Sequence, residues 1–422
     1  MSLKQIKVLF LIEGINIIKE MKICILTENY YRGGLDTFII NLINNWPDKN
    51  DEFVIICNKS HPGLYDIKKK IKNKIELIEY NFFFTNEISN GFSKNIILRS
   101  FPARAFFRIL NNIFEFPLLY IYYFYFFKKK FQKYKFELFF SVNGGYPASL
   151  VCRIGLLSWY SLYGSKSSYL FFHSHAMKMR KVLKFVDIYM DRLIYKSVNL
   201  IITVSKSCIN SIEERHSIFS KGKVIYIYNG VEDFYNQYTI NKYSNNFIML
   251  STYTSIKGYD FLIKIVRKLK FLNLNFKIII YGYGKKHEYK KIKNNISKYG
   301  LENFIELNPF TSDPHSVLKN SKALLCLSQS QEAFGLTLVE AMSLGVPVVT
   351  TNVGGLKEVF KNSNAGYIFE KDDVNGFVEA LLSLLENKAL IEKFSTQARK
   401  HYIKNFTSMK MAKKYHDIIK KI

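Results

Sequence analysis

Short, almost uninterrupted apolar runs recur along the chain, separated by longer segments of mixed polarity. Continuous apolar runs of this length are typical of strands that are buried on both faces of a parallel sheet. The intervening segments, such as residues 260–270, predict helices. This alternation predicts an α/β chain with two doubly wound domains. The predicted strands cover residues 22–27, 53–57, 137–142, 169–172, 200–204, 224–228, 247–250, 276–281, 323–327 and 345–349.

The apolar run 323–327 leads into the most informative segment of the chain, which holds Glu332 and Glu340. We expect a polar loop after this strand and a helix that begins near Phe334 or Gly335. Glu332 would then lie just before the helix, and Glu340 in its second turn. Helical side chains lean back towards the helix N-terminus, so both carboxylates can face one ligand there. The free N–H groups and the dipole at that end of a helix suit a phosphate.

Two glutamates alone are most often a solvated loop residue and a surface helix residue, but the next segment changes this interpretation. The run 345–349 predicts a short buried strand, and Asn352 begins a second strand-to-helix turn. Gly354 and Gly355 allow the backbone of that turn to approach a ligand closely. Two consecutive strand–loop–helix units of this kind form a ligand crevice at the edge of an open α/β sheet.

Three motifs follow one another in this part of the chain: Glu-x-Phe-Gly at Glu332, Glu-Ala-Met-x-x-Gly-x-Pro-Val-Val at Glu340, and Gly-Gly-x-x-Glu ending at Glu358. This ordered series resembles the donor-binding half of family 4 retaining glycosyltransferases. The resemblance covers residues 21–420, is strongest over 323–360, and is weaker in the first half. It implies the GT-B fold, in which two Rossmann-like doubly wound domains face a central cleft.

Domain boundaries follow from this resemblance and from the strand pattern. We expect an acceptor-binding Rossmann-like domain over 21–245 and a nucleotide-sugar-binding domain over 246–400. Residues 401–422 would form a C-terminal helix that packs back on the first domain. Residues 1–20 are interpreted as an N-terminal extension of undefined role, because Met21 begins a better first strand.

The resemblance also implies which residues act on a nucleotide diphosphate sugar. Lys257 would bind the diphosphate, Glu332 the hydroxyls of the donor sugar, and Glu340 the ribose hydroxyls, where one carboxylate accepts two hydrogen bonds. Lys257 and Glu332 are assigned to catalysis together with His173. The expected donor-binding residues are Gly33, Gly34, Thr252, Gly282, Gly284, Ala333, Phe334, Gly335, Leu336 and Glu340.

His173 corresponds by position to the family histidine that approaches the reacting sugar, and a purely structural histidine at a strand end is the alternative. If the strand continued, His173 and His175 would point to opposite faces, so we expect only one of them to line the cleft. The expected acceptor-side residues are Asn143, Gly144, Gly145 and His175.

One position departs from the family pattern. Family members usually carry an arginine five residues before the diphosphate-binding lysine, and this chain carries Thr252. A threonine offers a hydroxyl in place of a charged fork. Either Arg32 or Arg180 compensates, or donor turnover is weak. A catalytically degenerate protein of the same fold, which binds a nucleotide sugar or a partner, is therefore the alternative to an enzyme.

Sugar transfer from a nucleotide diphosphate leaves negative charge on the departing group, so the site must place positive charge there. No Asp-x-Asp motif stands at a predicted strand end, and His173 and His175 have no third metal ligand nearby in the sequence. We therefore expect a metal-independent site without a cofactor, in which lysines, arginines and helix N-termini hold the diphosphate.

The formal charge of +27 favours anionic partners such as phosphorylated ligands and anionic lipid surfaces. Nucleic acid is the partner least favoured, because the lysines are spread over the whole chain and no zinc-finger or RNA-recognition motif is present. The five scattered cysteines predict reduced thiols and a cytosolic compartment.

The most apolar stretch, residues 113–127, is followed by three lysines. It is shorter than a membrane-spanning helix and is interrupted by Glu115 and Pro117. A core helix of the first domain is the favoured interpretation. An interfacial helix with its aromatic side chains at head-group depth and its lysines on anionic lipid stays open.

These observations favour a retaining hexosyltransferase that moves a sugar from a UDP- or GDP-linked donor to a lipid-linked acceptor. The pathway would be lipopolysaccharide or capsule biosynthesis, at the inner face of a bacterial plasma membrane. A soluble enzyme that makes a small glycoside or a storage glucan is a further alternative. The sequence contains no feature from which the donor sugar or the linkage follows.

Overall fold

The computed structural model describes residues 20–30, 33–81, 116–238, 241, 244–272 and 274–420. Its strands form two separate parallel sheets, as the alternation of apolar runs predicts. Residues 1–19 of the expected extension over 1–20, and the first residues of the apolar stretch, 113–115, lie outside the described part of the chain.

The strands of the first sheet are β1 (Lys22–Thr27), β2 (Glu52–Asn58), β3 (Ile75–Tyr80), β4 (Leu138–Asn143), β5 (Ser168–Phe172), β6 (Leu200–Thr203) and β7 (Val224–Tyr226). Among the described residues their order is β3-β2-β1-β4-β5-β6-β7. Except for the edge strand β3, they carry mostly apolar sequences because helices cover both faces. The helices of this half are α1 (Gly34–Asn44), α2 (Leu64–Lys70), α3 (Phe116–Tyr134), α4 (Leu150–Tyr163), α5 (Lys184–Ser197) and α6 (Lys206–Arg215).

The second sheet has the order β10-β9-β8-β11-β12-β13 in the same part of the chain. Its strands are β8 (Asn246–Leu250), β9 (Lys277–Tyr281), β10 (Ile305–Asn308), β11 (Ala323–Cys326), β12 (Val348–Thr351) and β13 (Gly366–Phe369). The helices are α7 (Tyr259–Leu269), α8 (Lys286–Lys298), α9 (Pro314–Leu318), α10 (Leu336–Ser343), α11 (Leu356–Phe360), α12 (Val374–Glu386), α13 (Lys388–Asn405) and α14 (Ser408–Lys420). Short 3₁₀ helices cover Ser217–Ser220, Tyr235–Gln237, Ser255–Lys257 and Lys270–Leu272.

The strand expected over 345–349 lies three residues further along, at β12. Helix α10 ends in a left-handed turn at Gly345, whose φ is 68°. The N–H of Val346 then donates to the carbonyl of Ala341 at 2.9 Å, which closes the helix end. Pro347 has no N–H to donate, and the strand therefore begins at Val348.

The last helix returns to the first half of the molecule. Tyr415 on α14 is fully buried, and its ring lies 5.5 Å from that of Phe38 on α1. Lys420 near the end of α14 pairs with Asp48 at 3.0 Å. The crossing itself is fixed by a backbone exchange, in which the N–H groups of Val231 and Ser408 donate to the carbonyls of Phe406 and Val231.

Helix α3 has two distinct faces. Tyr123, Phe127 and Phe131 are buried at a spacing of four residues, which is the core face that the sequence favours. Tyr122 and Tyr125 point outwards and are mostly exposed. Among the described residues, no helix combines the length and apolar content needed to cross a bilayer.

Candidate active site in the cleft between the two sheets

A cleft of about 570 Å³ lies between the two halves, and residues that follow seven strands line it. The first sheet contributes the segments after β1 and β5, together with Asp66 and Lys70 on α2, the helix that follows β2. The second sheet contributes the segments after β8, β9, β10 and β11. Because the carboxyl ends of parallel strands lie at one edge of a sheet, this is the edge where ligands bind in open α/β sheets.

Glu332 and Lys257 form an ion pair inside the cleft. The Lys257 Nζ lies 2.5 Å from the Glu332 Oε2, and the Ser328 hydroxyl donates to the same oxygen at 2.9 Å. Burial alone would lower the pKa of Lys257, but the Glu332 carboxylate beside it raises the pKa above its ordinary value. Lys257 is therefore held as a cation, with its charge balanced by Glu332 in the ligand-free protein.

Glu340 is buried on the second turn of α10, where the sequence places it, and it also lines the cleft. Burial raises the pKa of its carboxyl group to about 8. Its oxygens border open cleft volume, and none of the described residues donates a hydrogen bond to them. A ligand with a pair of hydroxyl groups would provide the hydrogen bonds that this carboxyl group lacks.

His173 approaches the same cleft from the first sheet. Its Nε2 lies 3.0 Å from the side-chain amide nitrogen of Asn229, and its backbone N–H donates to the Asn143 carbonyl at 3.1 Å. Burial lowers the pKa of His173 to about 4, although the Glu332 carboxylate opposes this shift. The imidazole is therefore neutral at physiological pH, and it faces the Lys257–Glu332 pair across the cleft.

Gly34 lies where the two halves approach each other. A Cβ at this position would lie 2.9 Å from His173 Cε1 and 3.3 Å from Leu336 Cδ2, which belong to opposite halves. A Cβ at Gly33 would meet nothing within 4 Å. A side chain at position 34, unlike one at position 33, would therefore push the His173 ring and the start of α10 apart.

The start of α10 is a turn that depends on glycine. Gly335 precedes the helix with φ 99°, and a Cβ there would lie 2.6 Å from Leu356 Cδ2. Gly354 has φ 54°, and Gly355 donates its N–H to the Glu332 carbonyl at 2.7 Å. The two strand-to-helix turns thus support each other, and the first N–H groups of α10 face the cleft beside Ala333 and Phe334.

The positions of the other predicted donor residues differ. Thr252 and Gly282 line the cleft, together with Gly33, Gly34 and the segment from Ala333 to Leu336. Gly284 is not among the lining residues, and it packs against the backbone of Tyr253. Glycine is needed at this position because a Cβ would lie 2.6 Å from the Tyr253 carbonyl oxygen.

We expected only one of the two histidines after β5 to line the cleft, and the structure differs. His173 and His175 both line the cleft. Strand β5 ends at Phe172, so the alternation of a strand does not extend to them, which is why the expectation of a single lining histidine was wrong. His175 lies 2.8 Å from the hydroxyl of Ser207.

The predicted acceptor-side residues after β4 serve the local backbone. Asn143 is buried, with its amide donating to Ser141 and accepting from the Ser149 N–H. Gly144 accepts a hydrogen bond from Ser174, whose position next to Gly145 leaves no room for a side chain there. These three residues are not among those that line the cleft.

Arg180 does not compensate for Thr252. Its guanidinium group donates to Asp187 at 2.7 Å, and its side chain is more than half exposed outside the cleft lining. Arg32, the other candidate, lies outside the described residues. Among the described residues that line the cleft, Lys70 and Lys257 carry the cationic side chains.

A second contact between the two halves was not visible in the sequence. Glu358 on α11 accepts hydrogen bonds from the N–H groups of Lys206 and Ser207, at 2.8 and 2.7 Å. It caps the N-terminus of α6, which belongs to the other half. The Ser205 hydroxyl donates to the Ala333 carbonyl at 2.6 Å beside it. No short-range pattern signals such a cap, because donor and acceptor are about 150 residues apart.

Metal-ligand spacing occurs elsewhere in the described residues. Asp48, Asp51 and His416 bring ligand atoms within 4.8 Å of one another, and none of them lines the cleft. Asp51 already accepts hydrogen bonds from Met21 and Trp46. This arrangement links α14 to the first half of the molecule.

Two parallel sheets that face one cleft, with a cation, a carboxylate pair and free helix N–H groups on the second sheet, define a GT-B glycosyltransferase fold. Residues 231–401 match the family model described as glycosyl transferases group 1. The match covers less than half of the chain, and it shows that the second half is similar to the group 1 glycosyltransferases. Family 4 in particular stays a prediction.

Known proteins resemble the chain in sequence and in fold. An uncharacterized glycosyltransferase of Methanocaldococcus jannaschii is 33% identical over 45% of this chain and 50% of its own length. The poly(glycerol-phosphate) alpha-glucosyltransferase of Bacillus subtilis is 31% identical over 38% of this chain and 21% of its own length. The chain thus spans half or less of these curated relatives.

Structural similarity extends over almost the whole chain. The Anabaena protein HepE, solved in complex with UDP and glucose, has a TM-score of 0.70, 15% identity, and coverage of 96% of this chain and 100% of its own. At this identity the similarity shows the fold alone.

Proposed function

We propose that the protein is a retaining hexosyltransferase that uses a UDP- or GDP-linked sugar. The observation that carries the proposal is the meeting of His173 from one half with Glu332, Lys257 and Glu340 from the other in a single cleft. Glu340 would bind the ribose hydroxyls, Lys257 the diphosphate and Glu332 the hydroxyls of the sugar. The similarity to HepE, whose structure was solved with UDP and glucose, supports this class of donor.

In the proposed reaction the bond between the anomeric carbon and the diphosphate oxygen breaks, and the acceptor oxygen bonds to the same face of that carbon. The departing phosphate takes the acceptor proton, so no protein nucleophile is needed. Lys257 and the N–H groups at the start of α10 stabilise the charge that collects on the leaving diphosphate. His173, neutral and close to the sugar, positions the reacting group.

We propose that this diphosphate site works without a metal ion and without a cofactor. The proposal is supported by the pairing of Lys257 with Glu332, which gives the cleft its own cation and occupies the carboxylate. Donor binding would exchange part of this pair for contacts with the diphosphate and the sugar.

For the acceptor, we propose a lipid-linked glycan of bacterial surface polysaccharide, of the lipopolysaccharide or capsule type. The acceptor would be reached from the cytoplasmic side of the plasma membrane. The support is the net charge of +27, the exposed aromatic face of α3, and the similarity to the poly(glycerol-phosphate) alpha-glucosyltransferase of Bacillus subtilis.

The test is thermal stability of the purified protein against a panel of nucleoside diphosphates and nucleotide sugars, with and without chelator. A ligand at about 100 times its dissociation constant adds about 2.7 kcal/mol of stability. We expect a shift with one nucleotide series, unchanged by chelator and lost in Glu340→Ala. Anomeric configuration of the product, measured by NMR, tests retention.

The alternative is a degenerate protein that binds a nucleotide sugar without turning it over. Thr252 favours it, because the cleft offers a hydroxyl where the family places an arginine. Release or transfer of labelled sugar that is lost in Glu332→Gln would eliminate this alternative. Nucleotide binding without any turnover would establish it.

A further inference from the structure

An exposed apolar face lies beside the cleft on the first half of the molecule. It is formed by Tyr122 and Tyr125 on α3, and by Met177, Val182, Phe185 and Tyr189 on α5 and the loop before it. We call these six residues the aromatic–basic face, because lysines surround them. Val182 is 89% exposed and Phe185 is 71% exposed, although burying either side chain would be favourable.

The two parts of this face are neighbours. Helix α3 packs on α4, and α4 packs on α5. The exposed rings of α3 and α5 therefore lie on helices of one packed layer, with α4 between them.

The loop before α5 is held in place while its apolar side chains point outwards. The N–H of Met177 donates to the Tyr146 carbonyl at 2.7 Å, and Arg215 donates to the Met177 carbonyl at 2.6 Å. Arg180 donates to Asp187 at 2.7 Å. Since these contacts fix the backbone at both ends, the exposure of Val182 and Phe185 is built into the fold.

The charge around the face has one sign. Segments 116–134 and 176–192 together contain two carboxylates, Asp187 and Asp191. Both are buried, and they pair with Arg180 and Arg215. Lys178, Lys181 and Lys184 remain exposed between the apolar side chains. A surface with apolar side chains and interleaved cations is complementary to anionic lipid.

We propose that the aromatic–basic face docks on an anionic phospholipid bilayer, with Val182 and Phe185 inserted at head-group depth. The loop that carries them begins directly after His175, which lines the cleft. Docking in this orientation places the mouth of the cleft at the membrane surface. The inference rests on the proposed lipid-linked acceptor. Docking would bring the head group of this acceptor to His173 while its lipid part stays in the bilayer.

The experiment is co-sedimentation of the full chain with vesicles of phosphatidylcholine and phosphatidylglycerol, and with phosphatidylcholine alone. We expect binding to the anionic vesicles only, weakened by salt. The double variant Val182→Asp, Phe185→Asp should reduce binding about tenfold or more. Phe271→Asp is the matched control, because Phe271 is 82% exposed on the second half of the molecule, and it should bind like the unaltered protein.

A second measurement reports insertion directly. Both natural tryptophans, Trp46 and Trp159, are buried, so a Phe185→Trp variant would add an exposed reporter. We expect its emission to shift to shorter wavelength with anionic vesicles and to be quenched by brominated lipids. The same variant at Phe271 should show neither change.

The outcomes separate this inference from the proposed function. Absence of vesicle binding, or equal binding by the double variant, would show that the aromatic–basic face does not dock on the bilayer. Nucleotide-dependent stabilisation in the same protein would still support the donor site. Absence of nucleotide stabilisation overturns the proposed function, whatever the vesicles show. If the double variant instead converts a dimer to a monomer in size-exclusion light scattering and vesicle binding is unchanged, the face is a protein interface and the proposal is wrong.

Discussion

At the scale of single residues, burial of the Glu340 carboxyl group in the cleft makes its ionisation unfavourable. The unfolded chain releases the proton of this carboxyl group near pH 4.5, and burial raises the pKa in the folded protein to about 8. Between these values the folded protein holds a proton that the unfolded chain has lost. The contribution of the Glu340 carboxyl group to the free energy of unfolding is therefore fully present below pH 4.5 and is lost as the pH rises through 8.

We predict that Glu340→Gln removes this loss. The variant should gain stability relative to the unaltered protein as the pH rises from 5 to 8.5, on the order of 2–4 kcal/mol. Urea unfolding of the nucleotide-free protein at both pH values measures the difference. Glu379→Gln, on the exposed side of α12, is the control. If the free energy of unfolding had the same pH dependence in the two variants, Glu340 would not be the group that causes the loss of stability.

Gly33 and Gly34 make a matched pair for a second prediction. Gly34→Ala brings a methyl group within 2.9 Å of His173 and 3.3 Å of Leu336, so it should cost about 1–3 kcal/mol of stability and weaken nucleotide binding. Gly33→Ala faces open space, and its φ of 169° is extended backbone that alanine adopts. It should change stability by less than about 0.5 kcal/mol.

Thermal unfolding with and without nucleotide diphosphate measures both effects. A Gly34→Ala protein as stable as Gly33→Ala would mean that the two halves do not close on His173 as the structure shows.

The sequence predicts residue positions well where the signal is local. The spacing of Glu332 and Glu340 around a helix start follows from one loop and one helix, and the structure places both in the cleft. Asn229, which hydrogen-bonds His173, is 56 positions away from it. No short-range pattern encodes that pairing.

At the scale of elements, the continuous apolar runs predict most strands within a residue or two of their observed ends. Strand β3, with the sequence Ile-Glu-Leu-Ile-Glu-Tyr, carries two glutamates. It lies at the edge of the sheet, where one neighbour is absent and charged side chains reach solvent. Its mixed composition resembles that of a helix or loop, which is why no apolar run marks it.

Helix α6 provides the third prediction, because its N-terminal N–H groups are capped by Glu358 from the other half. Glu358→Gln should weaken this contact by about 1 kcal/mol, since the amide nitrogen cannot accept one of the two hydrogen bonds and the neutral group loses the attraction to the helix dipole. Hydrogen exchange at the Lys206 and Ser207 amides should become faster. Glu370→Gln, whose carboxylate bonds Asn352 within the second half, should leave these amides unchanged. Equal protection in both variants would show that the cap does not hold the halves together.

At the scale of the whole molecule, the chain crosses between its halves twice. It passes to the second half near Val231 and returns through α13 and α14, so Val231 meets Phe406 and Ser408 where the two passages touch. Gly230 is needed there because a Cβ would lie 2.4 Å from the Thr407 carbonyl. The alternation of strands and helices predicts two domains, but the tight contact of the two crossings depends on residues about 175 positions apart.

The return of α14 makes the stability of the first half depend on the last helix, and this gives the fourth prediction. Tyr415 is fully buried against Phe38 and Phe140, so Tyr415→Ala should cost about 3–5 kcal/mol. Met409 on the same helix is 69% exposed, and Met409→Ala should cost less than about 0.5 kcal/mol. Trp46 and Trp159 both lie in the first half, so tryptophan fluorescence during urea unfolding reports that half alone. A Tyr415→Ala midpoint equal to that of Met409→Ala would mean that α14 only rests on the first half and does not complete its core.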